Sequence, residues 1–218
     1  MSLYTKFIGH KFRIPRAFFT LLLLVGLVLV SGIVAAIEFS DTDLAELKAG
    51  NTIHRELPTS GTKGFYGGSG WAVVDAPADV IWKLLVDWDA YTHVFPNTTE
   101  AVELSRKGAK SLVRFRLGHP LVSLTYHVEM ERKTEKKILS FRLVKDMPND
   151  VNSIRGYWRL FPQKDGRTLI AYVVAVKVPM GLVNLAGPDL ERKSILALLR
   201  IPGDIKLWVE GPNGKKYR

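Results

Sequence analysis

Residues 71–104 read WAVVDAPADVIWKLLVDWDAYTHVFPNTTEAVEL, and the fold follows from how this stretch is punctuated. It opens on a β-branched apolar run, Ala72-Val73-Val74, which breaks at Asp75-Ala76-Pro77. Proline suits the first helical position, where a missing N–H costs nothing, and Asp79 falls in the first turn, where a carboxylate meets the positive end of the helix dipole. Ile81, Leu84, Leu85 and Trp88 then recur at the spacing of one face of an amphipathic helix. Trp88, Tyr91, His93 and Phe95 make an aromatic corner, read as a second short helix or loop, that ends at Pro96-Asn97. A strand follows from Thr98. The unit is strand, helix, aromatic corner, strand.

Beyond it the chain is a run of strands. In residues 122–130, Val122, Leu124, Tyr126, Val128 and Met130 share one face, and Ser123, Thr125, His127 and Glu129 share the other. Strict period two marks a sheet with one apolar face and one wet face. Val113, Phe115 and Leu117 alternate against Arg114 and Arg116; Leu139, Phe141 and Leu143 alternate against Ser140 and Arg142. Ile154, Gly156, Trp158 and Leu160 alternate against Ser153, Arg155, Tyr157 and Arg159, and Asp165-Gly166 turns the chain into a last strand, residues 168–178. The links are short, so neighbours are antiparallel, and no helical pattern interrupts them. That argues against a parallel nucleotide-binding sheet. The count is about seven strands, one before the helical insert and six after.

Gly187-Pro188-Asp189 reads as the start of a long C-terminal helix with Leu190, Ile195, Leu198, Leu199 and Ile201 on its apolar face. Pro202-Gly203 kinks or ends it, with Ile205, Leu207 and Trp208 as its continuation. An antiparallel sheet and one long helix fit together if the helix lies in the concave face. The expected class is therefore α+β, a helix-grip arrangement preceded by an N-terminal hydrophobic helix.

The strand ending at Ala76-Pro77, the Val80-x-Trp82-x-x-Leu85 helix, Asp87, Tyr91 and Pro96 resemble the opening of the START-like, or SRPBCC, helix-grip superfamily. That superfamily includes polyketide cyclases, the birch-pollen-allergen group and coenzyme-Q-binding proteins. Trp158-x-Leu160-x-Pro162 and Gly166-x-Thr168-Leu169-x-x-Tyr172 are similar to its penultimate hairpin, so the resemblance covers roughly residues 64–209. It implies a cavity between sheet and helix for an apolar ligand, whereas alternation alone implies only the apolar face. On that reading Phe115, Leu124, Tyr126, Phe141, Leu143, Ile154 and Trp158 line the ligand site, and Tyr91, His93 and Phe95 form its rim. Tyr126 and Trp158 are its polar handles.

The front of the chain is read separately. Residues 1–16 carry Lys6, Lys11, Arg13 and Arg16 and no acid, and residues 17–37 are uncharged and rich in Leu and Val. Two readings stand: a retained membrane anchor, by length, or a secretory signal cut after Val34-Ala35-Ala36. Both place the domain outside the cytoplasm. Residues 38–63 read as a linker with a short helix at 42–48, residues 64–211 as the ligand-binding domain, and residues 212–218 as a basic tail.

The whole chain of 218 residues has a net charge of +10. Without the four leading cations, the 31 Lys and Arg become 27 against 21 acids, a modest excess that suits an anionic lipid surface or simple solubility. The chain has no cysteine, which excludes disulfides, thiolate metal sites and a cysteine nucleophile. The histidines show no metal-ligand spacing. The expected partners are a hydrophobic small molecule (a lipid, a sterol-like compound or a quinone) and a membrane, with no nucleic acid and no cofactor. A cyclase or dehydratase activity in the same cavity is the alternative, and needs an inward acid or base. Its candidates are weakly placed: His127 and Glu129 fall on the wet face, His93 in the corner, His119 in a turn and His54 in the linker. A module whose core is filled by its own side chains is the third reading.

Overall fold

A computed structural model describes residues 38–57, 64–119 and 122–218, with residues 119, 122 and 182–190 described by their backbone. The hydrophobic segment 17–37 and its basic flank lie outside the described residues. The elements are α1 (Asp41–Lys48), β1 (Ile53–Glu56), β2 (Tyr66–Val74), α2 (Ala78–Leu85), α3 (Tyr91–Val94), β3 (Thr98–Lys107), β4 (Lys110–His119), β5 (Val122–Lys133), β6 (Ile138–Leu143), β7 (Ser153–Pro162), β8 (Thr168–Lys177), α4 (Met180–Leu199) and α5 (Ile201–Glu210).

Among the described residues eight strands form one open antiparallel sheet in the order β1-β2-β8-β7-β6-β5-β4-β3. The helical insert carries the chain from β2 to the far edge, and β3 to β8 then meander back until β8 closes on β2. This is the expected α+β helix-grip fold with one strand more than anticipated. The extra strand is β1, in the stretch read as linker, whose register runs from Ile53 opposite Trp71 to Glu56 opposite Gly68. At four residues it is too short to show a period.

The same stretch holds α1, started by a capping box in which the Ser40 hydroxyl accepts from the Asp43 N–H and the Asp43 carboxylate accepts from the Ser40 N–H. Leu47 of α1 packs with Trp71, Val73 and Ala171 on the outer face of the sheet. Phe39 meets Trp71 edge-on, ring centroids 5.5 Å apart.

The large core lies on the other, inward face. Val113, Val128, Met130, Leu139, Trp158, Leu160, Ile170 and Val174 from the strands are buried there against Ile81, Leu84 and Leu85 of α2 and Ile205 and Val209 of α5. The C-terminal helix differs from the expectation in two ways. It begins at Met180, directly after Pro179, so Pro188 lies inside it instead of opening it. It also breaks at Arg200 into α4 and α5, because Pro202 has no N–H to give the carbonyl of Leu198.

Gly70 lets this break sit on the sheet: a Cβ there would overlap the Leu199 carbonyl oxygen. Beyond it, Lys206 Nζ donates to the Val73 carbonyl (3.0 Å), and Glu210 Oε1 accepts from the Asp75 N–H (2.8 Å). The segment read as a basic tail forms a 3₁₀ turn, Pro212–Tyr217, with Tyr217 buried. The Tyr217 hydroxyl donates to Asp87 (2.8 Å), as does Lys216 (2.6 Å), and Lys83 donates to the Tyr217 carbonyl (3.2 Å). Chain end and aromatic corner are thereby tied together.

Candidate ligand site

The inward face is not uniformly closed. Near the turn joining β5 to β6 and under α2, the side chains of Met130, Leu139, Leu160 and Ile170 are sealed. Toward the opposite strand ends, where β8 passes into α4, Leu117, Leu124, Tyr126, Leu143, Ile154 and Val176 face the same way yet are only half-buried. Apolar side chains in mid-sheet normally lose nearly all their surface when a helix covers them. Here they keep part of it.

Of the expected lining, Phe115, Phe141 and Trp158 are buried, while Leu124, Tyr126, Leu143 and Ile154 are half-buried at the open end. The expected rim separates into two places. Tyr91 is a wall residue: it is buried, stacks on Phe95 at 4.1 Å, and donates from its hydroxyl to the Leu85 carbonyl at 2.8 Å. Phe95 in turn meets Trp158 edge-on at 5.9 Å. His93 instead is exposed and stacks on Trp208 of α5, 6.0 Å between centroids.

Rings line the interior from both sides. Phe115 stacks on Tyr126 (5.6 Å) and Trp158 on Tyr172 (3.9 Å), with Phe141 6.2 Å from Tyr172. Gly156, between them on β7, has the Phe141 ring where a Cβ would go, so the aromatic fills a gap the backbone leaves. Burial pushes the phenols of Tyr91, Tyr126 and Tyr172 well up. Two of the three are raised further by neighbouring phenols: Tyr172 and Tyr126 raise Tyr91, and Tyr126 raises Tyr172. All three are therefore neutral at physiological pH.

Sequence reasoning passed over Tyr172 as a lining residue. Residues 168–177, TLIAYVVAVK, are apolar on both faces, with Leu169 and Ala171 of the outer one packed in the cluster that holds Leu47 of α1, and period two is invisible there. The hairpin motif that holds both Trp158 and Tyr172 was the available signal, and the structure sets the two residues opposite each other. Asp204 was missed as well. Burial raises its carboxyl, opposed by Arg200, whose Nε lies 3.8 Å away, and its Oδ2 is buried with no hydrogen-bond partner. One helical turn on, Trp208 Nε1 is also buried and unpartnered.

His127 corrects the solvent-face reading. It lies on the outer face as alternation requires, but it is only 6% exposed. The loop 144–152 folds over it, with Nδ1 2.9 Å from the Pro148 carbonyl and its N–H donated to Asn149 Oδ1 (2.7 Å). Glu129 on the same face is half-buried and ion-paired with Lys110 and Arg142. Arg114 on that face pairs with Glu100. No group of three or more potential metal ligands occurs among the described residues. Nor is any helix among them long and apolar enough to cross a membrane.

Comparison with known proteins agrees with this geometry. The model of the family described as polyketide cyclase/dehydrase and lipid transport matches residues 74–199. Among solved structures, the chain is similar to the Zhui aromatase/cyclase of Streptomyces sp. R1128, at 20% identity and a TM-score of 0.51, over 73% of this chain and 96% of that one. It is also similar to a protein of Thermus thermophilus (16%, TM-score 0.53, 66% and 98%). A third, a START superfamily protein of Mycobacterium smegmatis, matches at 17% with a TM-score of 0.50, over 63% and 94%. At these identities the likeness is one of fold. No curated protein matches this sequence.

Proposed function

Because this chain belongs to the polyketide cyclase/dehydrase and lipid transport family, we propose that it binds and carries an apolar small molecule of lipid, sterol or quinone type. The molecule lies between the inward sheet face and the C-terminal helices. The observation that carries this reading is the graded burial of one continuous face: sealed under α2, but with Leu124, Tyr126, Leu143, Ile154 and Val176 left half-open at the strand ends where β8 passes into α4. A ring-lined apolar concavity with a few polar groups is the general form of a small-molecule site. The uncharged segment 17–37 and its basic flank support placement at a membrane, as an anchor or as a cleaved export signal. Organic extraction of the purified chain followed by mass spectrometry tests the carrier reading. A recovered apolar compound in near-stoichiometric amount supports it; an empty extract, from protein that also takes up no added lipid, defeats it.

One observation favours acid–base chemistry as a second reading. Asp204 is a partly buried acid whose carboxyl burial raises, against the opposing pull of Arg200, and whose Oδ2 is enclosed without a hydrogen-bond partner; acids perturbed in this way gather at functional sites. If Asp204→Asn leaves every conversion of a bound compound unchanged, that reading has lost its acid.

A further inference from the structure

The tyrosine hydroxyls divide into one that is satisfied and two that are not. Tyr91 gives its proton to the Leu85 carbonyl. Tyr172 is 5% exposed and Tyr126 half-buried, and the hydroxyl of neither has a hydrogen-bond partner among the described residues. Both rings are held by stacking, Tyr126 on Phe115 and Tyr172 on Trp158, so neither can swing freely out to water. They stand on the same inward face, on β5 and β8, with β6 and β7 between them in the sheet. Burial keeps both protonated, so each is a standing O–H donor in an apolar wall. A donor set in an apolar wall with no partner in the protein is free to take one from a guest.

We propose that Tyr126 and Tyr172 donate to an acceptor oxygen of carbonyl type on the bound apolar molecule. A carbonyl oxygen has two lone pairs and can take both protons. A pure hydrocarbon would leave both donors unsatisfied, and a cation would face two proton-bearing groups. The site therefore selects for an apolar body bearing an acceptor oxygen. This rests on the carrier reading and specifies what is carried.

Fluorene and 9-fluorenone share a skeleton and differ by one carbonyl. Equilibrium dialysis of each against the full chain, against Tyr126→Phe, Tyr172→Phe and the double variant, separates the contributions; differences between proteins cancel whatever all of them bind elsewhere. Fluorenone affinity is expected to fall about tenfold in the double variant, the equivalent of one to two neutral hydrogen bonds, with a smaller fall in each single variant. Fluorene affinity is expected to stay unchanged. Fluorenone indifferent to both substitutions, or both probes weakened alike, overturns the assignment while leaving the cavity in place. Neither probe binding the unsubstituted chain overturns the carrier reading and this inference with it.

Discussion

Removing one hydroxyl from Tyr91 and one from Tyr172 should have opposite consequences for stability, although both side chains are buried and neutral. The Tyr91 hydroxyl satisfies the carbonyl of Leu85, the last residue of α2, which has no donor within its own helix. Tyr91→Phe deletes that bond and leaves a buried acceptor open, for a loss of about 1–3 kcal/mol. For a folded unit of this size, each kcal/mol moves Tm by about 2–4 °C, so the midpoint should fall by roughly 2–12 °C. Tyr172→Phe removes an oxygen that bonds to no described residue and keeps the ring stacked on Trp158. Its effect should lie within about 0.5 kcal/mol of zero or be stabilising, since removing an unpaired buried polar group has no bond to lose. Urea and thermal unfolding of ligand-free protein, followed by circular dichroism, measure both. Equal losses at the two positions would mean that the Tyr172 hydroxyl is bonded within the protein, and the reasoning that reserves it for a ligand would fail.

Three other outcomes are expected. Gly70→Val should destabilise the fold by about 1–3 kcal/mol or more, as overpacking does, because its side chain would displace the Leu199 carbonyl and with it the α4–α5 corner; chemical denaturation reads this. The Asp87 carboxyl is pushed up by burial but pulled further down by Lys216 and Tyr217, for a net value below the usual carboxylate range. Its contribution is therefore present above pH about 4 and lost as the pH falls through the folded value, so Asp87→Asn should flatten the acid limb of the stability–pH curve. The partner phenol, raised to about 12 by burial and by Asp87, stays protonated throughout that range. Ile154→Trp, which adds bulk at the half-open end, should abolish uptake of an apolar probe while leaving the circular dichroism spectrum unchanged.

Most of the fold was legible because its strands are wet on one side. Where alternation was strict, as in β4 to β7, the strands and the face of their apolar residues agree with the structure, although β4 and β5 run two to three residues beyond the alternating stretch, to His119 and Lys133. It failed where a second layer covers the outer face. In β8, where Leu169 and Ala171 pack with Leu47 of α1, both faces are apolar, which hid Tyr172, and under the loop 144–152 His127 is buried despite its polar-side register. Short elements held by partners distant in sequence were also invisible: β1 takes its strand form from β2, and residues 212–217 take their turn from contacts with Lys83 and Asp87. The start of α4 was misplaced because Pro188 reads as an N-terminal signal, whereas Pro179 already ends β8 and caps the helix.

The lining showed the same division. Period two assigned Phe115, Tyr126, Phe141 and Trp158 to the inward face, but no pattern in sequence distinguishes a sealed inward residue from a half-open one. Tyr91 and His93, two residues apart in one corner, point to different surroundings because a short helix turns them by more than half a turn.

The central claim is that the interior beside Tyr126 and Tyr172 holds a guest. A high-resolution crystal structure of the chain purified without added ligand tests it most directly. The account predicts continuous electron density between the sheet and α4 that no protein atom explains, with an oxygen-sized feature within hydrogen-bonding distance of both hydroxyls. An interior filled by the side chains of α4, with each tyrosine hydroxyl bonded to protein, would contradict it.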